Sequence, residues 1–198
     1  TGCTNEGKVE SIAKGNHTYT AGICIIYNGS NGSTYADELI INNCVNNGEI
    51  EGDTVAGIIG NSSGNLKLSD CENNGAINGR YSAGGIAQCI ENKNSNEAEV
   101  SNCINNGNVF GGAEAAGIID YAEGITVTNC INNGNISSNG YVGGIFSYTS
   151  SVKGTGLVNN GKISGLEDIG GISAYDEGNS IFSKLYNTGV IDEENIGA

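Results

Sequence analysis

The sequence is poor in positive charge. Eight Lys and Arg stand against 22 Asp and Glu, which gives a formal net charge of −14. Because nucleic acids are held mainly by basic side chains on phosphates, this balance excludes a nucleic-acid partner and disfavours an anionic membrane surface. No apolar run is long enough to cross a bilayer, so we expect no membrane insertion by this chain.

The residues that build common metal sites are scarce as well. His17 is the single histidine, so the H-E-x-x-H zinc site of metallopeptidases cannot be built. No two of the seven cysteines have C-x-x-C spacing, which argues against a zinc site. We therefore predict no cofactor and no metal centre.

Proline is absent, whereas glycine is abundant at 33 residues. Glycine and asparagine tolerate the left-handed backbone conformation that tight turns need. Abundant glycine without proline and without a low-complexity run predicts many ordered turns and excludes a disordered linker.

What the chain does contain is a repeated heptad, seen in Cys103-Ile-Asn-Asn-Gly-Asn-Val109 and Cys130-Ile-Asn-Asn-Gly-Asn-Ile136. A period of about 27 residues, lengthened in two places, is the signature of a stacked repeat protein. We predict that the extra chain near 27–37 and 91–97 projects as loops. The copies begin at Cys3, Cys44, Cys71, Cys103, Cys130, Leu157 and Leu185.

Within one copy, short apolar stretches alternate with polar residues and are bounded by Asn and Gly. In the unit that begins at Gly124, this pattern predicts strands at 125–130, 135–137 and 141–146, with a turn at 131–134. Such a unit is marginal alone and becomes stable when units stack. We predict an all-β fold, a right-handed parallel β-solenoid (β-helix) with three short strands per coil and about seven coils. We expect it to form one domain over residues 1–198 and to be a fragment of a larger protein.

Stacking converts the repeat into columns of equivalent residues. Leucine replaces cysteine in the last two copies of the anchor column, so the position is apolar and we expect buried, reduced thiols there. Asparagine amides one coil apart are expected to form a hydrogen-bonded ladder. Cys24 and Cys89 lie outside the anchor column and are the better candidates for a local disulfide. The predicted structural ladders consist of Cys44, Cys71, Cys103, Cys130, Asn46, Asn73, Asn105, Asn132 and Asn159.

Two pairs of carboxylates could lie close together, Asp120 with Glu123 and Asp176 with Glu177. Glycosidases use two carboxyl groups that flank the scissile bond, and parallel β-helices host many polysaccharide-cleaving enzymes. Basic groups that would support such chemistry are few and scattered. We therefore predict that the chain is not an enzyme.

An aromatic pattern offers a candidate binding surface. Tyr121, Tyr148 and Tyr175 are spaced 27 residues apart and are expected to stack on one face. The stack either covers the sheet structurally or forms a flat stripe for a sugar or a protein. These three tyrosines are the predicted ligand-binding residues.

The pattern Asn-x-Gly-x-Ile-x-Gly followed by Val/Ala-Gly-Gly-Ile resembles the GLUG repeat of large bacterial surface proteins, also found beside IgA-cleaving metallopeptidases. The resemblance covers roughly residues 40–191, with a looser copy at 3–23, and isoleucine stands where the name-giving leucine would be. It implies an extracellular or cell-surface β-solenoid that acts as a stalk or adhesive module.

The predicted function is therefore a non-catalytic, monomeric repeat domain of a bacterial surface or secreted protein. It presents a binding surface to a glycan or protein of a host or neighbouring cell. One alternative is a carbohydrate-binding module that uses the tyrosine stripe. A second is a β-helical polysaccharide-active enzyme.

Overall fold

All strand pairings in the described residues are parallel, and each strand lies beside its equivalent in the next coil. The structure is a computed structural model that describes residues 1–12, 18–25, 38–92 and 98–192. It confirms the all-β parallel solenoid, while its right-handedness stays a prediction. The loop predicted near 27–37 and residues 93–97 of the second predicted loop lie outside the described residues, as does His17.

The strands of the described residues form four sheets. The seven-stranded sheet contains Thr4–Asn5, Val45–Asn46, Glu72–Asn73, Ile104–Asn105, Ile131–Asn132, Val158–Asn159 and Tyr186–Asn187. The eleven-stranded sheet contains Val9–Glu10, Tyr19–Ala21, Ile50–Ala56, Ile77–Gly84, Val109–Gly111, Glu114–Ala116, Ile136–Ser138, Tyr141–Gly143, Ile163–Ser164, Ile169–Gly170 and Ile191–Asp192. The five-stranded sheet contains Ile59–Ser63, Ala87–Glu91, Ile119–Glu123, Phe146–Ser150 and Ser173–Asp176. The six-stranded sheet contains Leu39–Asn42, Leu66–Ser69, Glu99–Ser101, Thr126–Thr128, Lys153–Thr155 and Ile181–Ser183.

Each coil contributes one strand to the seven-stranded sheet, which confirms seven coils. One coil contains more strands than the three that were expected. The turn predicted at 131–134 was wrong at its start, because Ile131–Asn132 is a strand. The chain turns earlier, at Asn129, whose φ of 53° is left-handed. Asn43, Asp70 and Asn102 adopt the same conformation at the equivalent corner. Asparagine and aspartate tolerate this conformation better than most residues.

The interior holds two apolar clusters. The larger contains the isoleucines that follow the glycine pairs, such as Ile118 and Ile145, and the anchor residues Cys44, Cys71, Cys103, Cys130 and Leu157. The smaller contains Ile77, Val109 and Ile136 of the eleven-stranded sheet. The anchor column is buried as predicted from Cys44 to Leu157, because a residue that repeats once per coil occupies the same interior position in each coil. At its two ends Cys3 and Leu185 are exposed.

Two asparagine ladders run along the solenoid. The inner ladder, which was predicted, is buried over Asn46 to Asn159, and each Nδ2 donates to the Oδ1 of the next coil at 2.7 Å. Its members are Asn5, Asn46, Asn73, Asn105, Asn132, Asn159 and Asn187. The outer ladder, which was not predicted, is solvent-exposed and joins neighbouring coils at 2.8–2.9 Å. Its members are Asn47, Asn74, Asn106, Asn133, Asn160 and Thr188.

The second glycine of each Gly-Gly or Ala-Gly pair lets the backbone approach the inner ladder. A methyl group on Gly85 would lie 2.6 Å from Cγ of Asn105 and would overlap the carbonyl oxygen of Gly117. No side chain fits there, so the corner requires glycine. This explains why the second residue of the pair is always glycine.

Candidate functional site

The three predicted tyrosines form one stack on the outer face of the five-stranded sheet. Tyr121 pairs in register with Tyr148, and Tyr148 with Tyr175. The ring centroids of the first pair lie 4.7 Å apart and those of the second pair 5.4 Å apart. The predicted ladder is therefore present, and Cys89 occupies the next position of the column.

Stacking determines which surface the tyrosines offer to a ligand. Inside the stack each ring face is covered by its neighbour, so Tyr148 presents its edge and hydroxyl outward. Tyr175 is last in the described column and has 43% of its surface exposed. Tyr141 was not predicted, and its ring centroid lies 5.9 Å from that of Tyr175. A sugar that stacks on an aromatic face would therefore use Tyr175.

Carboxylates hold the hydroxyl groups of the stack. The Tyr121 hydroxyl donates to Glu123 at 3.1 Å, and the Tyr148 hydroxyl donates to Glu177 at 2.6 Å. The hydrogen bond to Glu177 raises the pKa of Tyr148 to about 12, and burial raises the pKa of Tyr121. Both phenols remain protonated at neutral pH, so Tyr121 and Tyr148 are uncharged rings that lie beside acidic side chains.

The carboxylate pairs proposed from the sequence do not face a common space. Asp120 is fully buried, whereas Glu123 lies on the outer face with Tyr121. Asp176 accepts hydrogen bonds from Thr149 at 2.9 Å and from Ser180 at 2.6 Å, while Glu177 is held by Tyr148. Each of these carboxylates is thus engaged by a neighbouring side chain.

Asp120 instead belongs to a buried polar column that the sequence analysis missed. Ser147 donates to both its carboxylate and its carbonyl oxygen, and Gln88 Nε2 donates to Oδ2 at 3.2 Å. Burial, and then the negative charge of Glu114, raise the pKa of the Asp120 carboxyl to about 7. The Oε1 atom of Gln88 is buried and lacks a hydrogen-bond partner. This column is therefore electrostatically sensitive to pH.

A shallow groove of about 350 Å³ crosses the outer surface of the eleven-stranded sheet. Phe110 and Ser137 line it together with Asn108, Asn135 and Lys162. The Oδ1 atoms of Asn108 and Asn135 each accept the backbone N–H of the next coil at 3.0 Å. These two contacts join each coil to the next along the groove.

The anchor cysteines Cys44, Cys71, Cys103 and Cys130 are buried as predicted, with at most 1% of each residue exposed. All seven cysteines lie in described residues and none forms a disulfide, so the suggested bridge between Cys24 and Cys89 was wrong. The register explains why, because Cys24 lies beside Ile59, while Cys89 pairs with Asn61 one coil further along. The two thiols are therefore separated by an intervening coil.

Among the described residues, no group of three or more His, Cys, Asp or Glu side chains is arranged to hold a metal ion. The same residues contain no helix of the length and apolarity needed to cross a membrane. Comparison of the chain with family models, with curated proteins and with solved structures gives no significant match.

Proposed function

We propose that this chain is a non-catalytic, extracellular repeat module of a bacterial surface or secreted protein, which holds an adhesive surface at a fixed distance and orientation. The observation that supports this proposal best is the unbroken inner ladder from Asn5 to Asn187, closed by hydrogen bonds of equal length in every coil. The likeness to GLUG repeats of bacterial surface proteins supports the extracellular setting.

The contacts that join the coils explain why the module would be stiff. Backbone hydrogen bonds link neighbouring coils in four sheets, and the buried amides add a chain of side-chain bonds through the interior. Buried hydrogen bonds are costly to break because their groups cannot exchange them for water. Bending the solenoid would stretch several of these bonds at once, so the two ends keep their relative orientation.

A display experiment tests the spacer function. The chain is anchored on a bacterial surface, with a streptavidin-binding peptide at its free end, and bead retention is measured under flow. The comparison is a Gly/Ser linker of about 30 residues, whose mean end-to-end distance matches the roughly 30 Å of seven coils. We expect the solenoid to retain several-fold more beads because it keeps the peptide oriented. Equal retention by the linker would contradict the proposal.

A second candidate function is glycan binding, with two possible surfaces. Tyr175 offers an exposed ring, and the groove offers Phe110 together with the amides of Asn108 and Asn135. Aromatic rings combined with a few oriented polar groups are typical of small-molecule sites. The acidic flanks of the stripe favour neutral glycans there over acidic ones.

A glycan and mucin array with two matched variants separates these possibilities. We expect Tyr175→Ala to reduce binding at least about tenfold if the stripe is the site, which corresponds to about 1.4 kcal/mol. Phe110→Ser is expected to have that effect if the groove is the site. Tyr148→Ala reports on the integrity of the stack, and circular dichroism checks the fold of each variant. Absence of binding by the folded wild type would leave only the spacer function.

A further inference from the structure

The anchor cysteines form a straight row of thiols. Successive members are joined through backbone hydrogen bonds, such as that from Glu72 N to the Cys44 carbonyl at 2.9 Å. Each buried Sγ donates to the carbonyl oxygen two residues earlier, at 3.2–3.4 Å, so the side chains point the same way in every coil. The coils are stacked at the strand spacing of about 4.8 Å, so side chains that point the same way are expected to hold their sulfurs at about this separation. The row consists of Cys3, Cys44, Cys71, Cys103 and Cys130.

The thiols of this row interact with one another. Contact with Cys103 is the main cause that raises the pKa of Cys71, and contact with Cys130 is the main cause that raises the pKa of Cys103. Cys3 is exposed at one end, while buried Leu157 closes the other.

The geometry of the row selects a particular kind of ligand. A metal ion between two neighbouring coils would meet two sulfurs, one on each side, and tetrahedral zinc sites need four ligands. Two metal–sulfur bonds of about 2.3 Å, the length found for zinc, span about 4.6 Å, close to the coil spacing. Soft monovalent ions with a filled d shell, Cu(I) and Ag(I), bind sulfur strongly and accept two donors in line.

We propose that the cysteine row binds Cu(I) or Ag(I), each ion held in line between the sulfurs of adjacent coils. The row would act as a one-dimensional thiol site for soft monovalent metal ions. The four buried sulfurs of Cys44 to Cys130 define three such positions. A fourth lies between Cys3 and Cys44, and its exposed thiol is where ions would enter.

Binding is a ligand exchange without electron transfer. One S–H bond breaks for each ion, a metal–thiolate bond forms in its place, and the second sulfur coordinates as a neutral thiol. One cation enters and one proton leaves, so the net charge of the row does not change. This matters because an uncompensated charge in an apolar interior is strongly unfavourable.

Silver nitrate is the probe for the test, added to reduced protein in the presence of a competing thioether. Native mass spectrometry gives the number of ions bound, and a weakly buffered solution reports proton release. We expect three to four ions and one proton per ion. Cys103→Ser keeps a hydroxyl that can donate to the Ser101 carbonyl, and it removes two positions. Cys130→Ser, at the end of the row, removes one.

Cys89→Ser provides the matched control. Cys89 is also buried and forms no disulfide, but it does not belong to the row. It should bind as many ions as the wild type. Two results would overturn the proposal: equal stoichiometry in Cys103→Ser and Cys89→Ser, or silver binding only after denaturation. If Cys103→Ser does not fold by circular dichroism, the single-position loss expected for Cys130→Ser decides the question.

Discussion

Replacing Asn105 with alanine is expected to destabilise the protein by roughly 3–5 kcal/mol, because the change removes three hydrogen bonds from the buried inner ladder. Asn105 accepts from Asn73 and donates to Asn132, both at 2.7 Å, and it also donates to the Gly107 carbonyl at 2.8 Å. The variant would leave Asn132 Oδ1 and the Gly107 carbonyl without this donor in a dry interior. Orphaned buried groups cost about 1–3 kcal/mol each, and the loss approaches the total stability of many domains.

The matched control is the next residue along the chain. Asn106 belongs to the outer ladder and also bonds to the coils on either side, at 2.9 and 2.8 Å, but it is exposed. Water can replace its bonds, so Asn106→Ala should cost less than about 1 kcal/mol. Urea unfolding of both variants at one pH measures the difference. Similar losses for the two variants would mean that ladder bonds, and not their burial, set the stability.

The buried column around Asp120 gives the second prediction, a stability that falls as pH rises. The Asp120 pKa is about 7 in the folded protein, against about 3.9 for an aspartate in an unfolded chain. Between these values the folded state keeps a proton that the unfolded state has lost. The contribution of Asp120 to the free energy of unfolding is therefore complete below about pH 4 and is lost as pH rises through about 7.

The full size of this effect is about 4 kcal/mol, since each pKa unit corresponds to about 1.4 kcal/mol. Asp120→Asn should remove the pH dependence and raise stability at pH 8 by an amount of this order. The introduced amide can also donate a hydrogen bond to Gln88 Oε1, which lacks a hydrogen-bond partner in the wild type. If the Gln88 amide rotates, its Oε1 accepts a hydrogen bond from the new side-chain amide, as it would from protonated Asp120.

Urea unfolding from pH 4 to 9 checks this prediction, with the difference between the wild type and each variant plotted against pH. Asp176→Asn is the control, because that exposed carboxylate lies on the same sheet as Asp120. Glu114→Gln should shift the pH range in which stability falls to lower values, since the charge of Glu114 helps to raise the Asp120 pKa. Parallel pH profiles for the wild type and Asp120→Asn would refute the assignment.

The sequence predicted those features in which the same kind of residue recurs in every coil. The anchor column and the inner asparagine ladder each repeat one chemical type, so the period reveals them. The buried polar column does not repeat in this way. Its equivalent positions hold Gln88, Asp120 and Ser147, which share no residue type, and their burial emerges only when the coils are stacked.

Strand boundaries were harder to predict for a related reason. Ile119 and Asp120 are adjacent and both buried, so the alternation that places side chains inside or outside does not hold at the start of this strand. The corner at the preceding glycine changes the direction of the chain and resets the pattern. The candidate site was predictable as a tyrosine ladder, but the contact between Tyr141 and Tyr175 crosses two sheets and has no repeated sequence signal.

The two asparagine ladders differ in direction as well as in exposure. In the inner ladder each Nδ2 donates toward the C-terminal end, as from Asn46 to Asn73, whereas in the outer ladder Asn74 donates back to Asn47. Amide dipoles aligned in one direction add together, as they do along an α-helix. Here the two rows of side-chain dipoles oppose each other, so their fields largely cancel. A solenoid of this design can therefore gain coils without accumulating a net dipole from its asparagine amides.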